Sequence, residues 1–325
     1  MNYDAIVVGS GFGGAVAACR LAEAGLKVLV LERGRRWERE DFPRGPDDDW
    51  CFDVDAPRER HGWLDLRFFS RMAVAQGAGV GGGSLVYANV SVPAERFAFD
   101  SGWPEAIDFD ELAPYQDRVG QMLEVAEVPA GQVSERYRLV QEAAVRSGHG
   151  DRFRPLPLAV RFDPDWSYRL SEPHHRRHSR QTINVHGKQQ GTCIHCGYCD
   201  IGCPVGARNT LDLNYLARAE QLGAEVRPLS MVRSLVPESG GYRVTFQHLE
   251  GAPTIRHERA ERVILAAGSL GSTELLLRAR DQYRTLPELS PLLGHRWCAN
   301  GDFLTPAIYP NRRIDACRGP TISAA

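Results

Sequence analysis

Short apolar runs separated by glycine-rich or polar stretches make up the first part of the chain. Residues 5–8 and 27–31 are almost continuously apolar, and the stretch 15–24 between them is rich in helix-forming residues. Apolar runs of this length without alternation are typical of parallel strands that are covered on both faces. Gly25 follows the helical stretch and favours a helix end there. The pattern predicts a β-α-β unit at the start of the chain.

The same kind of pattern predicts further elements along the chain. Helices are predicted at 108–126, 134–147, 211–221 and 268–278. Short strands are predicted at 226–229, 231–236, 242–249, 254–257 and 263–265, of which the first four form a β-meander. The polar, proline-containing stretch 37–68 is predicted to be an excursion or lid loop. The predicted fold class is α/β: a Rossmann-like, three-layer domain with a β-meander, together with an incomplete α+β domain.

A glycine-rich turn at 9–14, with the sequence Gly-Ser-Gly-Phe-Gly-Gly, lies between the first strand and the helix. In dinucleotide-binding turns the first glycine allows the tight bend, the second lets the backbone approach a pyrophosphate, and the last lets helix and strand pack closely. In this chain those glycines are Gly9, Gly11 and Gly14. The free N–H groups around Phe12 and Gly13 would hold the pyrophosphate at the positive end of the helix.

Glu32 ends the second predicted strand, at the position where an acid hydrogen-bonds a ribose hydroxyl in such folds. A carboxylate there argues against the 2′-phosphate of NADP. The turn alone fits FAD and NAD, and two further segments favour FAD. The loop 77–84 has many glycines, which suit a backbone that lies against a flat or anionic group, with a flexible surface loop as the alternative. The strand, turn and helix at 263–278 offer a long cofactor a second contact.

Four of the eight cysteines lie close together at Cys193, Cys196, Cys199 and Cys203, followed by a proline. This spacing is the one that bacterial ferredoxins use, and it predicts a [4Fe-4S] or [3Fe-4S] cluster bound by the ferredoxin-like segment 193–204. In two-cluster ferredoxins the last cysteine of such a run binds the other cluster. The alternative fourth ligands are Cys51, Cys298 and Cys317. A zinc site, a disulfide and a set of reduced structural thiols are the competing interpretations.

Composition limits the classes of function. The 325 residues are 43% hydrophobic, which is enough for a large core and two domains. The formal net charge of −2 gives no electrostatic reason to expect binding to nucleic acid or to an anionic membrane. No apolar stretch reaches the length of a membrane span. The first strand begins almost at once, so we expect no signal peptide and a cytoplasmic location.

Several motifs occur in a characteristic order: the turn at 9–14, Gly-Gly-Gly-Ser-Leu-Val at 81–86, Gly-Ser-Leu-Gly-Ser-Thr-Glu-Leu-Leu at 268–276, and Asn-Gly-Asp at 300–302. The stretch 103–115 is also typical of the same group of proteins. With these motifs the chain resembles the glucose-methanol-choline (GMC) flavin oxidoreductases, and within them the cholesterol oxidase-like branch. The resemblance covers nearly the whole chain.

The resemblance implies a bound FAD and an enzyme that acts on CH–OH groups. It would oxidise a sterol or another bulky alcohol to a ketone or aldehyde by hydride transfer to flavin N5. Tyr87 stands where sterol oxidases have Asn, and Asn89 follows two places later. Motifs and resemblance together give the predicted cofactor-binding residues: Gly9, Gly11, Phe12, Gly13, Gly14, Glu32, Gly82, Gly83, Ser84, Asn89, Val232, Ala267, Gly268 and Ser269.

The resemblance also implies that the chain is incomplete. In the family, the catalytic His lies in a C-terminal segment that completes the flavin domain, and nothing in this sequence matches that segment. We therefore expect a C-terminally truncated chain that has no catalytic residue of its own. The expected domains are a FAD-binding domain at 1–99 and 183–290 and an incomplete substrate-binding domain at 100–182 and 291–325.

Two functions from different classes are consistent with these features. The first is a FAD-dependent oxidase or dehydrogenase, and a bound cluster would make a cytochrome, a quinone or another acceptor the destination of the electrons. The second is a non-catalytic FAD/iron–sulfur electron-transfer module or an inactive fragment. A NAD-dependent dehydrogenase would explain neither the loop 77–84 nor the cysteines. The basic run at 174–178 is predicted to be a solvated loop, and His295 matches no motif.

Overall fold

The computed structural model of the chain describes residues 2–100, 102–104, 106–252, 254–298 and 306–325. The chain divides into two compact units. The first contains Met1–Val86 and Tyr215–Asn311, and the second contains Tyr87–Asn214 and Arg312–Ala325. These boundaries differ from those of the expected domains: residues 87–99 and 183–214 belong to the second unit, and residues 291–311 belong to the first. Within the described ranges, no helix is long and apolar enough to cross a membrane.

The elements are numbered along the chain. The strands are β1 (Tyr3–Val8), β2 (Val28–Leu31), β3 (Cys51–Phe52), β4 (Leu64–Phe69), β5 (Met72–Gly77), β6 (Thr182–Ile183), β7 (Gln189–Gln190), β8 (Glu225–Arg227), β9 (Ser230–Glu238), β10 (Gly241–His248) and β11 (Thr254–Leu265). The α-helices are α1 (Phe12–Glu23), α2 (Phe109–Met122), α3 (Glu135–Arg146), α4 (Tyr215–Gln221) and α5 (Gly268–Leu277).

A six-stranded sheet in the order β8-β2-β1-β11-β10-β9 forms the centre of the first unit. Its first four strands are parallel, and β11, β10 and β9 form an antiparallel meander. The apolar runs of β1 and β2 are almost completely buried, and Ile6 and Leu29 pack in one core cluster with Phe246 of β10. Burial of each such side chain contributes about 2 kcal/mol of transfer free energy. The predicted α/β class is confirmed. The predicted β-meander is present in β9, β10 and β11, but the predicted strand at 226–229 is not part of it, because β8 pairs parallel with β2 at the other edge of the sheet.

Strand β11 corrects one prediction. We expected separate strands at 254–257 and 263–265, but the backbone is extended continuously from Thr254 to Leu265. Its first half pairs antiparallel with β10, and its second half pairs parallel with β1. The middle of the strand is charged and mostly exposed, so it has no apolar pattern. Hydrogen bonds to two different neighbours extend the strand through this polar stretch.

The stretch 37–68 also contains more regular structure than a loop. Strands β3, β4 and β5 form a separate three-stranded sheet in the first unit. Trp37, Phe42 and Trp63 pack beside it in a small buried cluster, with ring centroids 5.4 and 5.9 Å apart for the two pairs that involve Phe42. The segment is polar overall, and its few buried aromatic residues are far apart in sequence, so no apolar pattern indicated this cluster.

Helices α2 and α3 of the second unit begin at side-chain caps. Asp108 accepts a hydrogen bond from the N–H of Glu111, and Ser134 accepts one from the N–H of Tyr137. Such caps satisfy N–H groups that have no partner within the helix. The predicted helices at 108–126 and 134–147 are therefore confirmed, with ends inside the predicted bounds.

The predicted helix at 211–221 is divided in two. Leu211–Leu213 forms a single 3₁₀ turn, and α4 begins only at Tyr215. Asn214 between them has non-helical backbone angles (φ −133°, ψ −88°), and its side-chain amide donates to the carbonyl groups of Asn209 and Thr210. The two compact units meet in sequence at this break.

Candidate functional site

The first glycine turn leaves no room for side chains at two of its positions. Gly9 has φ +96°, and a Cβ atom there would overlap the carbonyl oxygen of Ala266. A Cβ atom on Gly14 would overlap the carbonyl oxygen of Gly9. At Gly11, by contrast, the nearest atoms to a Cβ would be 3.9 Å away, in ordinary contact. Gly9 and Gly14 are thus required by the packing of the turn, while Gly11 leaves its backbone approachable.

The loop 77–84 packs against this turn. Gly82 has φ +51°, and a Cβ atom on it would lie 2.6 Å from Cα of Gly11. A Cβ atom on Gly77 would overlap the backbone of Gly82. The loop ends in a 3₁₀ turn at Gly82–Leu85, and Ser84 is completely buried. The glycines therefore allow close backbone packing, which contradicts the alternative of a flexible surface loop.

Glu32 is buried and accepts three hydrogen bonds. Its Oε2 accepts from the N–H of Ser10 at 3.0 Å and from Ser10 Oγ at 2.6 Å, and its Oε1 accepts from the N–H of Gly34 at 2.9 Å. Ser10 Oγ in turn accepts from the N–H of Gly81 at 3.1 Å. Glu32, the acid that we expected at a ribose hydroxyl, thus bonds the first glycine turn through Ser10, whose hydroxyl links that turn to the loop 77–84.

The second turn lies beside the first because β1 and β11 are parallel neighbours. Ala267 precedes α5, and its N–H donates to Ser272 Oγ at 3.0 Å. Gly268, with φ +76°, and Ser269 are exposed at the start of that helix. The N-termini of α1 and α5 therefore follow the carboxyl ends of two adjacent strands, the position at which α/β sheets bind ligands. Val232 lies in β9, where its side chain belongs to the core.

Asn89 lies in the second unit, and its side chain is engaged there. It is completely buried, has φ +65°, and its Oδ1 accepts from Arg208 Nε at 2.6 Å. Arg208 also donates to the carbonyl group of Tyr87 at 2.9 Å. The Asn-Gly-Asp motif at 300–302 falls outside the described residues.

All four predicted cysteine ligands line one small cavity in the second unit. His195, Arg208 and Gly319 are among the residues that complete its wall. All eight cysteines lie within the described ranges, and each is free of disulfide bonds. Among the described residues, no group of three or more His, Cys, Asp or Glu side chains is arranged to hold a metal ion. Cys51 lies in β3, while Cys298 and Cys317 are exposed.

Burial and repulsion between neighbouring thiolates favour the protonated form of Cys193, Cys196 and Cys199. Burial raises the pKa of Cys196 to about 11, and it raises the pKa of Cys193 well above the usual value, with the neighbouring thiols adding to the effect. Burial likewise raises the pKa of Cys199, while Arg208 acts in the opposite direction. Backbone N–H groups already point at the sulfur atoms: His195 donates to Cys193 Sγ at 3.4 Å and Ala207 to Cys203 Sγ at 3.3 Å.

The C-terminal segment closes one side of the cavity. Gly197 has φ +82°, and a Cβ atom on it would overlap the carbonyl oxygen of Cys317. Gly319 donates its N–H to the carbonyl group of His195 at 3.0 Å. The His195 ring stacks on Trp166 with centroids 4.1 Å apart, and its Nε2 lies 3.0 Å from Gln132 Oε1. Burial lowers the pKa of His195 to about 3, so the ring is neutral.

Comparisons with known proteins agree with this fold and these turns. The profile of an NAD(P)-binding Rossmann-like domain matches residues 7–37, and that of GMC oxidoreductases matches residues 176–280. Two cholesterol oxidases align with the whole chain, that of Acinetobacter baumannii at 33% identity and that of Mycobacterium tuberculosis at 35%. The chain is similar to GMC oxidoreductases and, over its whole length, to cholesterol oxidases. It spans 59% and 56% of the lengths of these two relatives.

A solved structure supports the fold alone. Pyridoxine 4-oxidase from Mesorbium loti superimposes with a TM-score of 0.53 at 19% sequence identity, over 85% of this chain and 52% of that one. The predicted Rossmann-like α/β fold is thereby confirmed.

Sequence reasoning did not single out Ser10, Arg208 or His195. Ser10 and His195 lie inside motifs that were noted for their glycines or cysteines, so their own chemistry was overlooked. A polar residue within a buried motif is a usable signal, because buried polar groups need partners. Arg208 gave no such signal, since its partners lie more than 100 positions away in sequence.

Proposed function

We propose that the protein containing this chain is a FAD-dependent oxidoreductase that oxidises a CH–OH group of a sterol or another bulky alcohol. The observation that carries the proposal is the adjacency of the two turns, at Gly9 and at Ala266, at the carboxyl ends of neighbouring parallel strands. The match of residues 176–280 to the GMC oxidoreductase profile supports the same reaction class. The names of the two relatives favour a sterol among alcohol substrates.

The chain's own residues would bind and orient the cofactor. Bound FAD supplies an acceptor for hydride at flavin N5. N–H groups at the start of α1, near Phe12 and Gly13, would receive the pyrophosphate, since a helix N-terminus favours an anion. Gly82 of the loop 77–84 packs closely on Gly11, so the backbone of both segments would border this position. The substrate proton would go to a base that we assign to no residue of this chain.

A binding and reduction experiment tests the proposal. The purified protein is titrated with FAD and with NAD, and the FAD-loaded protein is then mixed anaerobically with cholesterol or with long-chain primary alcohols. We expect binding of FAD but not NAD, and bleaching of the flavin absorbance by one alcohol class. Absence of FAD binding would overturn the proposal, and bleaching by long-chain alcohols alone would replace the sterol with a linear substrate.

We further propose that the cysteine cavity binds an iron–sulfur cluster, which passes electrons to a cytochrome or a quinone. The lining of one cavity by all four thiols supports this site. A cluster binds each thiolate through a different iron, so its ligands surround a cage instead of meeting at one ion. The N–H groups that point at Cys193 and Cys203 and the charge of Arg208 suit an anionic cluster.

Anaerobic purification with iron, sulfide and zinc analysis tests the cluster. We expect about four irons per chain and a broad absorbance near 400 nm for a [4Fe-4S] cluster. Cys196→Ser should lose iron, whereas Cys19→Ala, which removes a buried thiol of the first unit, should keep it. One zinc per chain without sulfide would overturn the cluster in favour of zinc. Absence of both metals would leave the cysteines as structural thiols.

The electron-transfer module is the second candidate function, and the cysteine cavity is the observation that favours it. A protein that binds both FAD and iron but shows no flavin bleaching with any alcohol would support this function over alcohol oxidation.

A further inference from the structure

We propose that Ser10 is a positioning residue for the cofactor, because its hydroxyl fixes the loop 77–84 against the first glycine turn. The inference rests on the proposed binding of FAD and adds the residue that holds the two halves of the binding surface together. Ser10 is completely buried, so it acts on the cofactor through its neighbours.

One hydroxyl group serves three segments. Ser10 follows β1 in the first turn, and its Oγ donates to Glu32 Oε2 at the end of β2 at 2.6 Å. The same oxygen accepts a hydrogen bond from the N–H of Gly81 in the loop 77–84 at 3.1 Å. A hydroxyl can donate once and accept twice, so both bonds form together. Their polarities reinforce each other, because donation to a carboxylate makes the oxygen a better acceptor.

The position of Gly81 explains why this bond affects the cofactor. Gly82, the next residue, packs so closely on Gly11 that a Cβ atom would lie 2.6 Å from the Gly11 Cα. Gly11 is the turn position whose backbone approaches a pyrophosphate in this motif. A shift of the Gly81 N–H therefore moves the backbone that borders the pyrophosphate position. Gly81 is buried, so a lost acceptor is not replaced by solvent.

Glu32 completes the arrangement. Two of its three hydrogen bonds come from Ser10, through the backbone N–H and the hydroxyl. Glu32 thus influences the nucleotide site through Ser10 as well as through any ribose hydroxyl it contacts. Substitutions of Ser10 and Glu32 therefore weaken cofactor binding through one shared network, and their effects are not additive.

The test compares Ser10→Ala with the wild type in titrations with FAD, ADP and riboflavin. We expect the dissociation constants for FAD and ADP to rise about tenfold, since a buried N–H loses its acceptor. The affinity for riboflavin, which lacks the pyrophosphate and adenosine, should not change. Ser230→Ala is the matched control: Ser230 is buried in the same unit, donates to the carbonyl group of Pro228, and should leave all three affinities unchanged.

A double-mutant cycle with Glu32→Gln tests the coupling. We expect the double variant to bind FAD more tightly than the product of the two single effects predicts, by at least about threefold. Ser10→Cys preserves the volume with a weaker hydrogen-bonding group, and it serves if the alanine variant does not fold. Thermal melting of the FAD-free variants provides the check on folding.

The outcomes separate the inference from the proposed function. A wild-type protein that binds neither FAD nor ADP would overturn the proposed function. A wild-type protein that binds FAD, with a Ser10→Ala variant of equal affinity, would overturn only the positioning role. Equal losses for FAD, ADP and riboflavin would also overturn it, because they would indicate a general loss of structure.

Discussion

The glycine turns of the first unit and the cysteine cavity of the second are built in opposite ways. At Gly9, Gly14 and Gly82 the surface consists of backbone, and side chains are excluded by backbone atoms that already fill their space. Around the cysteines, the wall of one small cavity includes four thiols and the side chains of His195 and Arg208. Backbone N–H groups need no protonation change to meet an anion, whereas the thiols must lose protons before they bind iron.

This difference predicts different sensitivities for the two regions. An added Cβ atom should damage the glycine turns at Gly9, Gly14 and Gly82, where it would overlap backbone atoms. The cysteine cavity should respond to changes in charge and in the C-terminal segment that closes one side of it. Burial raises the pKa values of Cys193, Cys196 and Cys199 and disfavours their thiolates. Four substitutions, described in order of expected effect, test this contrast.

Gly14→Ala should have the largest effect. A Cβ atom at this position overlaps the carbonyl oxygen of Gly9, and both groups belong to a rigid turn. We expect a loss of about 3 kcal/mol in the free energy of unfolding, measured by urea titration, and no retention of FAD. Gly13→Ala is the control in the same helix, because its Cβ would lie 3.9 Å from its nearest neighbour. Similar losses for both variants would refute the role of close packing.

Arg208→Met should destabilise the protein by about 2 kcal/mol, since it leaves the buried Oδ1 of Asn89 without its donor. Iron content should also fall if the guanidinium charge favours the thiolates. Arg154→Met is the matched control in the same unit, because Arg154 is 60% exposed and pairs with Glu95 at the surface. Chemical denaturation that detects no difference between the two variants would contradict this prediction.

Gly197→Ala should lower the free energy of unfolding by about 1.5 kcal/mol and reduce the iron bound per purified chain several-fold. The new Cβ atom displaces the carbonyl group of Cys317, and the C-terminal segment can partly move away because Cys317 is exposed. Gly148→Ala has a similar positive φ of +78° with open space around it, so it measures the backbone strain alone. Equal iron yields in the two variants would contradict a role of the C-terminal segment in binding iron at the cavity.

Cys19→Ala should have the smallest effect, visible only in alkali. Burial, followed by the charge of Glu23, raises the pKa of Cys19 to about 11, from an ordinary value of 9.0. The unfolded chain loses this proton first, so the contribution to stability is full below pH 9 and is lost as the pH rises through about 11. We expect the melting temperature of the wild type to fall more than that of Cys19→Ala between pH 9 and 11, by about 2–4 °C. Parallel melting curves for the two proteins would show that this thiol does not titrate in that range.

Local sequence determined the first β-α-β unit, the position of its glycine turn and the caps of α2 and α3. These features depend on residues that are close in sequence: β1, α1 and β2 are consecutive elements, and Asp108 or Ser134 bonds an N–H three residues away. The spacing of the four cysteines likewise predicted that their thiols would converge, and they line one cavity. Binding of an iron–sulfur cluster by these four cysteines stays a prediction.

Tertiary structure alone decided the features that join distant segments. The polar middle of β11 is a strand because β10 and β1 supply its hydrogen bonds, and the small sheet of β3, β4 and β5 depends on pairing across a polar stretch. The Ser10 hydroxyl bonds Gly81, 71 positions away, only because the folded chain brings the two segments together. A residue's sequence neighbours determine its local conformation, but the partners of a buried hydrogen-bonding group are decided only when the chain folds and brings them together.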